Sequence, residues 1–251
     1  MKKTSKKYFV GSTHETTNCG IVEVLEFNNS NDIYVKLLNT GYTLKTCGVA
    51  LKSGSLKDRL FRSVYDIGFV DNGTTWKDGK RTKEYQTWMN MFHRCYRGDR
   101  STRLLSYVDC EVDEFFHSFG NFEKWVKDQK GFDQEGWHLD KDILVKGNRV
   151  YSPETCCFVP KEINLLFTKR SGRRGGYPIG VSRRNKGGGY QVQLSQFGKT
   201  YMGTYNTSEE AFNAYKQAKE AYIKEVAEKW KDKIDPRVYD ALVSYQVEIT
   251  D

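Results

Sequence analysis

The sequence predicts an α+β multidomain chain, and three observations predict it. Residues 8–72 alternate apolar and polar side chains in short runs. Residues 84–167 carry aromatic side chains at three- and four-residue spacing. Residues 175–232 read as three strands followed by one helix. The expected order is therefore a small N-terminal β-barrel, a mixed ββα middle, and a C-terminal three-stranded antiparallel sheet packed on one helix.

The first expectation rests on Ile21–Phe27, Ile33–Leu38 and Tyr42–Thr46, three alternating runs separated by Asn28-Asn29-Ser30-Asn31 and Asn39-Thr40-Gly41. Several short strands within one small segment suggest a closed or half-closed barrel. Gly73–Lys80 reads as the linker that leaves it.

In the middle segment Tyr85, Trp88, Met89, Phe92 and Tyr96 form an aromatic helical stripe. Phe115, Phe116, Phe119, Phe122, Trp125 and Val126 form a second, interrupted at Gly120. Trp137–Leu144 reads as a compact strand–turn–strand, with Lys146-Gly147-Asn148 at the turn and Tyr151-Ser152-Pro153-Glu154 opening a short helix or turn.

The last segment places strands at about 178–184, 190–196 and 199–205, turning at Gly187-Gly188-Gly189 and Phe197-Gly198. Thr207 is the expected N-cap, with Glu209 and Glu210 in the first turn. The helix is expected to continue past Ala211, Tyr215 and Ala218 to about Trp230.

Charge is concentrated in this last segment. Residues 168–208 contain Lys169, Arg170, Arg173, Arg174, Arg183, Arg184, Lys186 and Lys199 and no acidic residue. The whole chain is +8, so all its net charge lies there. A single-sign stripe on a small sheet fits a nucleic-acid partner. Tyr177, Ile179, Val181, Tyr190, Val192 and Leu194 interleave it, which a disordered basic tail would not need.

Other classes fall away on composition. A hydrophobic fraction of 38% and an aromatic fraction of 14% support packed cores. No apolar run approaches the length of a membrane span. Met1-Lys2-Lys3-Thr4-Ser5-Lys6-Lys7 resembles the start of a signal peptide, yet no apolar stretch follows, so it reads as a basic arm on a cytoplasmic protein. Cys19, Cys47, Cys95, Cys110, Cys156 and Cys157 then read as reduced residues. They lack zinc-ligand spacing, and a structural zinc is not expected. His14, His93 and His117 are isolated and read as surface or helix residues.

Two segments resemble known families. Gly180-Val181-Ser182-Arg183, Tyr190-Gln191-Val192-Gln193, Gly198-Lys199, Tyr201-Met202-Gly203-Thr204-Tyr205 and Thr207-Ser208-Glu209-Glu210-Ala211 with Ala214-Tyr215 look like the plant ethylene-response-factor DNA-binding domain, which also occurs in phage homing endonucleases. The resemblance implies a sheet lying in the major groove of double-stranded DNA. It assigns DNA contacts to Ser182, Arg183, Arg184, Gln193, Ser195, Lys199 and Tyr201. The chain departs from the plant pattern at Ile179, Ser182 and Ser195, where plant members carry arginine, so no target sequence is implied.

The middle resembles phage HNH endonucleases of the His-Me finger type. The resembling pieces are Trp88-Met89 through Arg94-Cys95-Tyr96, Asn121-Phe122-Glu123-Lys124-Trp125, Leu139-Asp140-Lys141-Asp142, Gly147-Asn148, and Tyr151-Ser152-Pro153-Glu154-Thr155-Cys156. The resemblance implies Mg²⁺- or Mn²⁺-dependent phosphodiester cleavage, with a histidine base and one metal at the leaving oxygen. Its Asp-His dyad falls on Asp140-Lys141 and its positioning asparagine on Thr155. Lys141 would act as base only with a strongly lowered pKa, or as a cation that steadies the phosphate. His138 is the one nearby imidazole, either a base or a structural residue. Asp140 and Asp142 share a strand face and read as metal ligands or as members of an ion pair with Lys141 or Arg149.

Two function classes follow: a metal-dependent homing-type DNA endonuclease, and a DNA-binding regulator or structural factor whose nuclease centre has decayed. If the chain is phage-encoded, its place is the cytoplasm of an infected bacterial host. The segment Asn39-Thr40-Gly41-Tyr42 with Gly54-Ser55-Leu56-Lys57-Asp58 resembles a small barrel that precedes HNH segments in some phage proteins. It implies an accessory contact with protein or nucleic acid.

Overall fold

A computed structural model describes residues 7–97, 107–168, 176–184, 188–196, 199–249 and 251, without the side chains of residues 195, 196 and 199–202. The fold mixes α and β structure in several small sheets, with six α-helices among the described residues. None of these helices is long and apolar enough to cross a membrane. Two compact units are formed, one by Met1–Val108 with Val112–Lys124 and the other by Asp109–Glu111 with Trp125–Asp251.

In the first unit, β1 (Thr13–Glu15), β2 (Ile21–Asn29), β3 (Asp32–Leu37) and β4 (Thr43–Thr46) pair antiparallel in chain order. The sheet ends at β1 and β4, which corrects the expected barrel: it is open. Closure needs staggered ladders around the whole ring, and strands of three and four residues at the two edges are too short to supply them. Val22, Val24, Ile33, Val35 and Leu37 are instead covered by Leu51 of α1 (Gly48–Ser53) and by Leu56.

The expected linker at 73–80 contains a hairpin, β5 (Trp76–Lys77) and β6 (Lys80–Arg81). Asp78 and Gly79 have φ of 52° and 74°, the mirror-image turn that matches strand twist. Then α2 (Lys83–Tyr96) starts at Thr82, whose hydroxyl oxygen accepts the Tyr85 N–H, and it buries Trp88, Met91 and Phe92. The Trp88 indole donates to the Phe116 carbonyl at 2.7 Å.

Gly120 does not interrupt a helix. It lies in the first turn of α3 (Phe119–Lys127), where its N–H donates to Asp71 Oδ1 at 2.7 Å. A Cβ there would meet that carboxylate at 2.7 Å, so the position needs glycine.

The second unit begins with β7 (Glu111–Val112), through Glu111, whose N–H donates to the Arg149 carbonyl. It continues with β8 (Trp137–Asp140), β9 (Val150–Tyr151), β10 (Cys157–Pro160) and α4 (Lys161–Leu166). Strands β8 and β10 pair antiparallel, and α4 leaves β10 without a loop. A three-stranded antiparallel sheet follows: β11 (Val181–Arg183), β12 (Tyr190–Gln196) and β13 (Lys199–Tyr205). Helix α5 (Ser208–Trp230) opens with a capping box between Thr207 and Glu210.

Helix α5 serves two cores. Ala211 and Tyr215 pack on Val181, Val192 and Leu194 of the sheet. One end further on, Ile223, Val226 and Ala227 pack on Cys157, Val159, Ile163 and Leu166 of the β8–β10–α4 layer. A last helix, α6 (Pro236–Val243), was not expected from the periodicity. Its start is nonetheless signalled, by the Asp235 side-chain cap and by proline in the first turn. Val238 and Leu242 complete the second core.

Candidate nucleic-acid interface and candidate catalytic centre

The sheet β11-β12-β13 has one apolar face because its strands alternate. Val181, Val192 and Leu194 are buried under α5, while Ser182, Gln191 and Gln193 are exposed. Cross-strand register holds the faces together, pairing Val181 with Val192 and Ser182 with Gln191. Gly180 sets the start of β11. Its φ is +74° and a Cβ would lie 2.0 Å from the Tyr215 ring, so the backbone packs directly on α5.

Of the expected DNA contacts, Ser182, Arg183, Arg184 and Gln193 are all exposed, and the Arg184 N–H donates to the Gly189 carbonyl at 3.2 Å. Register places Tyr201 opposite Leu194, Ser195 opposite Thr200, and Lys199 opposite Gln196. The side chains of Ser195, Lys199 and Tyr201 lie outside the described residues. So do Lys169, Arg170, Arg173, Arg174 and Lys186.

The candidate catalytic residues gather at the end of β8. His138 is exposed, Leu139 is buried and Asp140 is half-buried, as alternation along a strand requires. Asp140 Oδ1 accepts the backbone N–H groups of Asp142 and Ile143, at 2.8 and 2.9 Å. It thereby turns the chain out of the strand. Burial, with the Asp142 carboxylate beside it, pushes the Asp140 carboxyl up to about 6.

Lys141 faces the other way. It is buried, and its ammonium donates to Asp142 Oδ2 at 3.0 Å and to the Asn148 carbonyl at 3.2 Å. Burial works against its charge, but the Asp142 carboxylate outweighs that cost and the Lys141 pKa is raised. A general base needs the opposite shift, so this lysine is a fixed cation. The ion pair between Lys141 and Asp142 is the plainer of the two readings open for these residues.

Asn148 was read only as a turn residue. Its side-chain amide donates to the carbonyls of Lys141 and Val150, both at 2.6 Å, and its Oδ1 accepts the Val150 N–H. The Gly147-Asn148 pair is a turn signal, and nothing in it reveals the partner seven residues back. Thr155 donates to the Val150 carbonyl at 2.9 Å and contacts the Ser152 hydroxyl at 3.0 Å. It closes the turn after β9.

No protein-family model, curated protein or solved structure matches this chain.

A divalent metal at this place would rest on the carboxylates of Asp140 and Asp142. One oxygen of Asp140 is committed to two backbone bonds, and Asp142 faces an ammonium. Among the described residues no three His, Cys, Asp or Glu side chains converge. Magnesium held there would draw the rest of its oxygen shell from water and a substrate phosphate. Burial pushes the Cys156 and Cys157 thiols up.

Proposed function

We propose that the chain is a double-stranded-DNA-binding protein. It grips the duplex with the outer face of the β11-β12-β13 sheet, and its nuclease-like β8–β10–α4 layer has become structural. The observation that carries the reading is the sheet itself: α5 seals one face, and the other presents Ser182, Arg184 and Gln193 in a segment without acidic residues. Such a face meets phosphates with cations and base edges with amide and guanidinium groups. Lys141 supports the second half of the reading, because it is held protonated where the family places its base.

The test is binding of the full chain to labelled duplex DNA across a salt series. With about five phosphate contacts, log affinity falls against log salt with a slope of about −4 to −5. Binding that ignores salt overturns the proposal.

One observation favours a second reading, Mg²⁺- or Mn²⁺-dependent cleavage of the bound duplex. His138 is exposed beside Asp140, whose carboxyl titrates near 6, and a group of that kind exchanges protons near neutrality. Plasmid nicking with either metal, wild type beside His138→Ala and Asp140→Ala, decides it. Nicking lost in both variants establishes cleavage, and an intact plasmid with the wild type leaves DNA binding alone.

A further inference from the structure

Hairpin β5–β6 holds a large aromatic ring in solvent. Trp76 is 57% exposed, and Lys77, Lys80 and Arg81 are exposed beside it. A ribbon with two residues per strand is not stable by itself. Its base is tied down instead: the Thr82 N–H donates to the Thr75 carbonyl, the Thr82 hydroxyl to the Thr74 carbonyl, and the Thr74 N–H to Glu123. Gly73 lies against Phe119, where a Cβ would come within 2.2 Å of the ring. The Asp78-Gly79 turn then fixes the tip. Burial does not account for this indole, since more than half of it is exposed.

The chemistry around the ring is selective. The Arg81 guanidinium stands 5.9 Å from the centroids of both Trp76 and Tyr85, within cation–π reach of each ring. Residues 76–84 carry four cations, Lys77, Lys80, Arg81 and Lys83, against Asp78 and Glu84. An exposed π-face flanked by cations suits a polyanion that also offers flat rings. Nucleic-acid strands meet that description, with phosphates for the lysines and a base for the indole. A base face is accessible only where the base is unpaired.

We infer that the hairpin Trp76–Arg81 is a second DNA contact, in which Trp76 stacks on an unpaired base and Lys77 and Lys80 hold the neighbouring phosphates. The inference rests on the DNA-binding reading for its partner, but it uses different residues in the other compact unit.

The test uses the full chain, a short labelled duplex, and the same duplex with a central unpaired bubble, both read by fluorescence anisotropy. The wild type is expected to prefer the bubble. Trp76→Ala should reduce that preference by about fivefold to a hundredfold, Trp76→Phe should retain most of it, and affinity for the intact duplex should change little. Lys77→Ala with Lys80→Ala should flatten the salt slope by about 1.5. A wild type that binds both probes equally, or a bubble preference that survives Trp76→Ala, overturns the inference and leaves the sheet contact standing. Arg184→Ala reports on the sheet alone: if it leaves duplex binding intact while Trp76→Ala abolishes the bubble preference, the sheet reading fails and the hairpin stands. A chain that binds neither probe ends both.

Discussion

Lys141 and Asn148 close one loop from both sides. The Lys141 ammonium donates to the Asn148 carbonyl at 3.2 Å, and the Asn148 amide donates to the Lys141 carbonyl at 2.6 Å. Lys141 is thereby the inner clamp of the turn between β8 and β9. Replacing it by methionine keeps the volume and leaves the Asn148 carbonyl and Asp142 without their cation. Lys141→Met should lose about 1–3 kcal/mol of stability, read from urea midpoints. An unchanged midpoint would remove the clamp from the account.

Asp140 gives stability a dependence on acid. Its folded pKa is raised to about 6 from an ordinary value of 3.8, so the folded state binds the proton more tightly than the unfolded state. Its contribution to stability is full at low pH and is lost as pH rises from about 4 to about 6. Asp140→Asn keeps an oxygen for the two backbone donors and carries no charge. The variant should be more stable than wild type at pH 7 by about 1–2 kcal/mol, with the difference vanishing towards pH 4. A gap that is the same at both pH values would show that charge is not the cause.

Lys219 should act at the alkaline end. It is buried on α5, donates to the Leu166 carbonyl at 2.8 Å at the end of α4, and burial lowers its pKa to about 8. Between about 8 and the ordinary 10.5 the unfolded state holds more protons, so wild-type stability gains with pH across that window. In Lys219→Met that gain should be smaller by about 1–2 kcal/mol. Urea titrations of both proteins at the two ends of the window measure it, and parallel curves would refute it.

Gly180→Ala tests the seat of the sheet. The added methyl enters the Tyr215 ring and the residue is held at a positive φ, so β11 must lift from α5. The expected cost is about 2–4 kcal/mol, accompanied by weaker duplex binding. The control Gly79→Ala also sits at positive φ, but it meets no atom within 4 Å and should cost far less.

Much of the C-terminal half was legible in residues 178–230. Strands β12 and β13 and helix α5 fall at the expected places because alternation, glycine turns and the Thr207 cap are local signals. The hairpin at Trp76 was read as a linker: Asp78-Gly79 is a turn signal, but the strands beside it are too short for alternation to register. The candidate centre was legible as a set of residues, His138, Asp140, Lys141 and Asp142, and not as a function. Which way Lys141 turns depends on a carboxylate next to it and a carbonyl seven residues away.

By itself the sequence determined the longer elements of the C-terminal half and the place of the charge, since hydrophobic period, caps and the run of arginines and lysines are properties of neighbours along the chain. Tertiary structure alone decided that the N-terminal sheet stays open, that Lys141 is buried as a cation, and that α5 is shared. The last of these joins two segments the sequence separates at residue 167: Tyr215 packs on the basic sheet while Ile223 and Val226 fill the β8–β10–α4 core. A 23-residue helix about 35 Å long can reach both. Apolar side chains along it record only that something must cover them, and burial, which has no direction along the chain, chooses the partner.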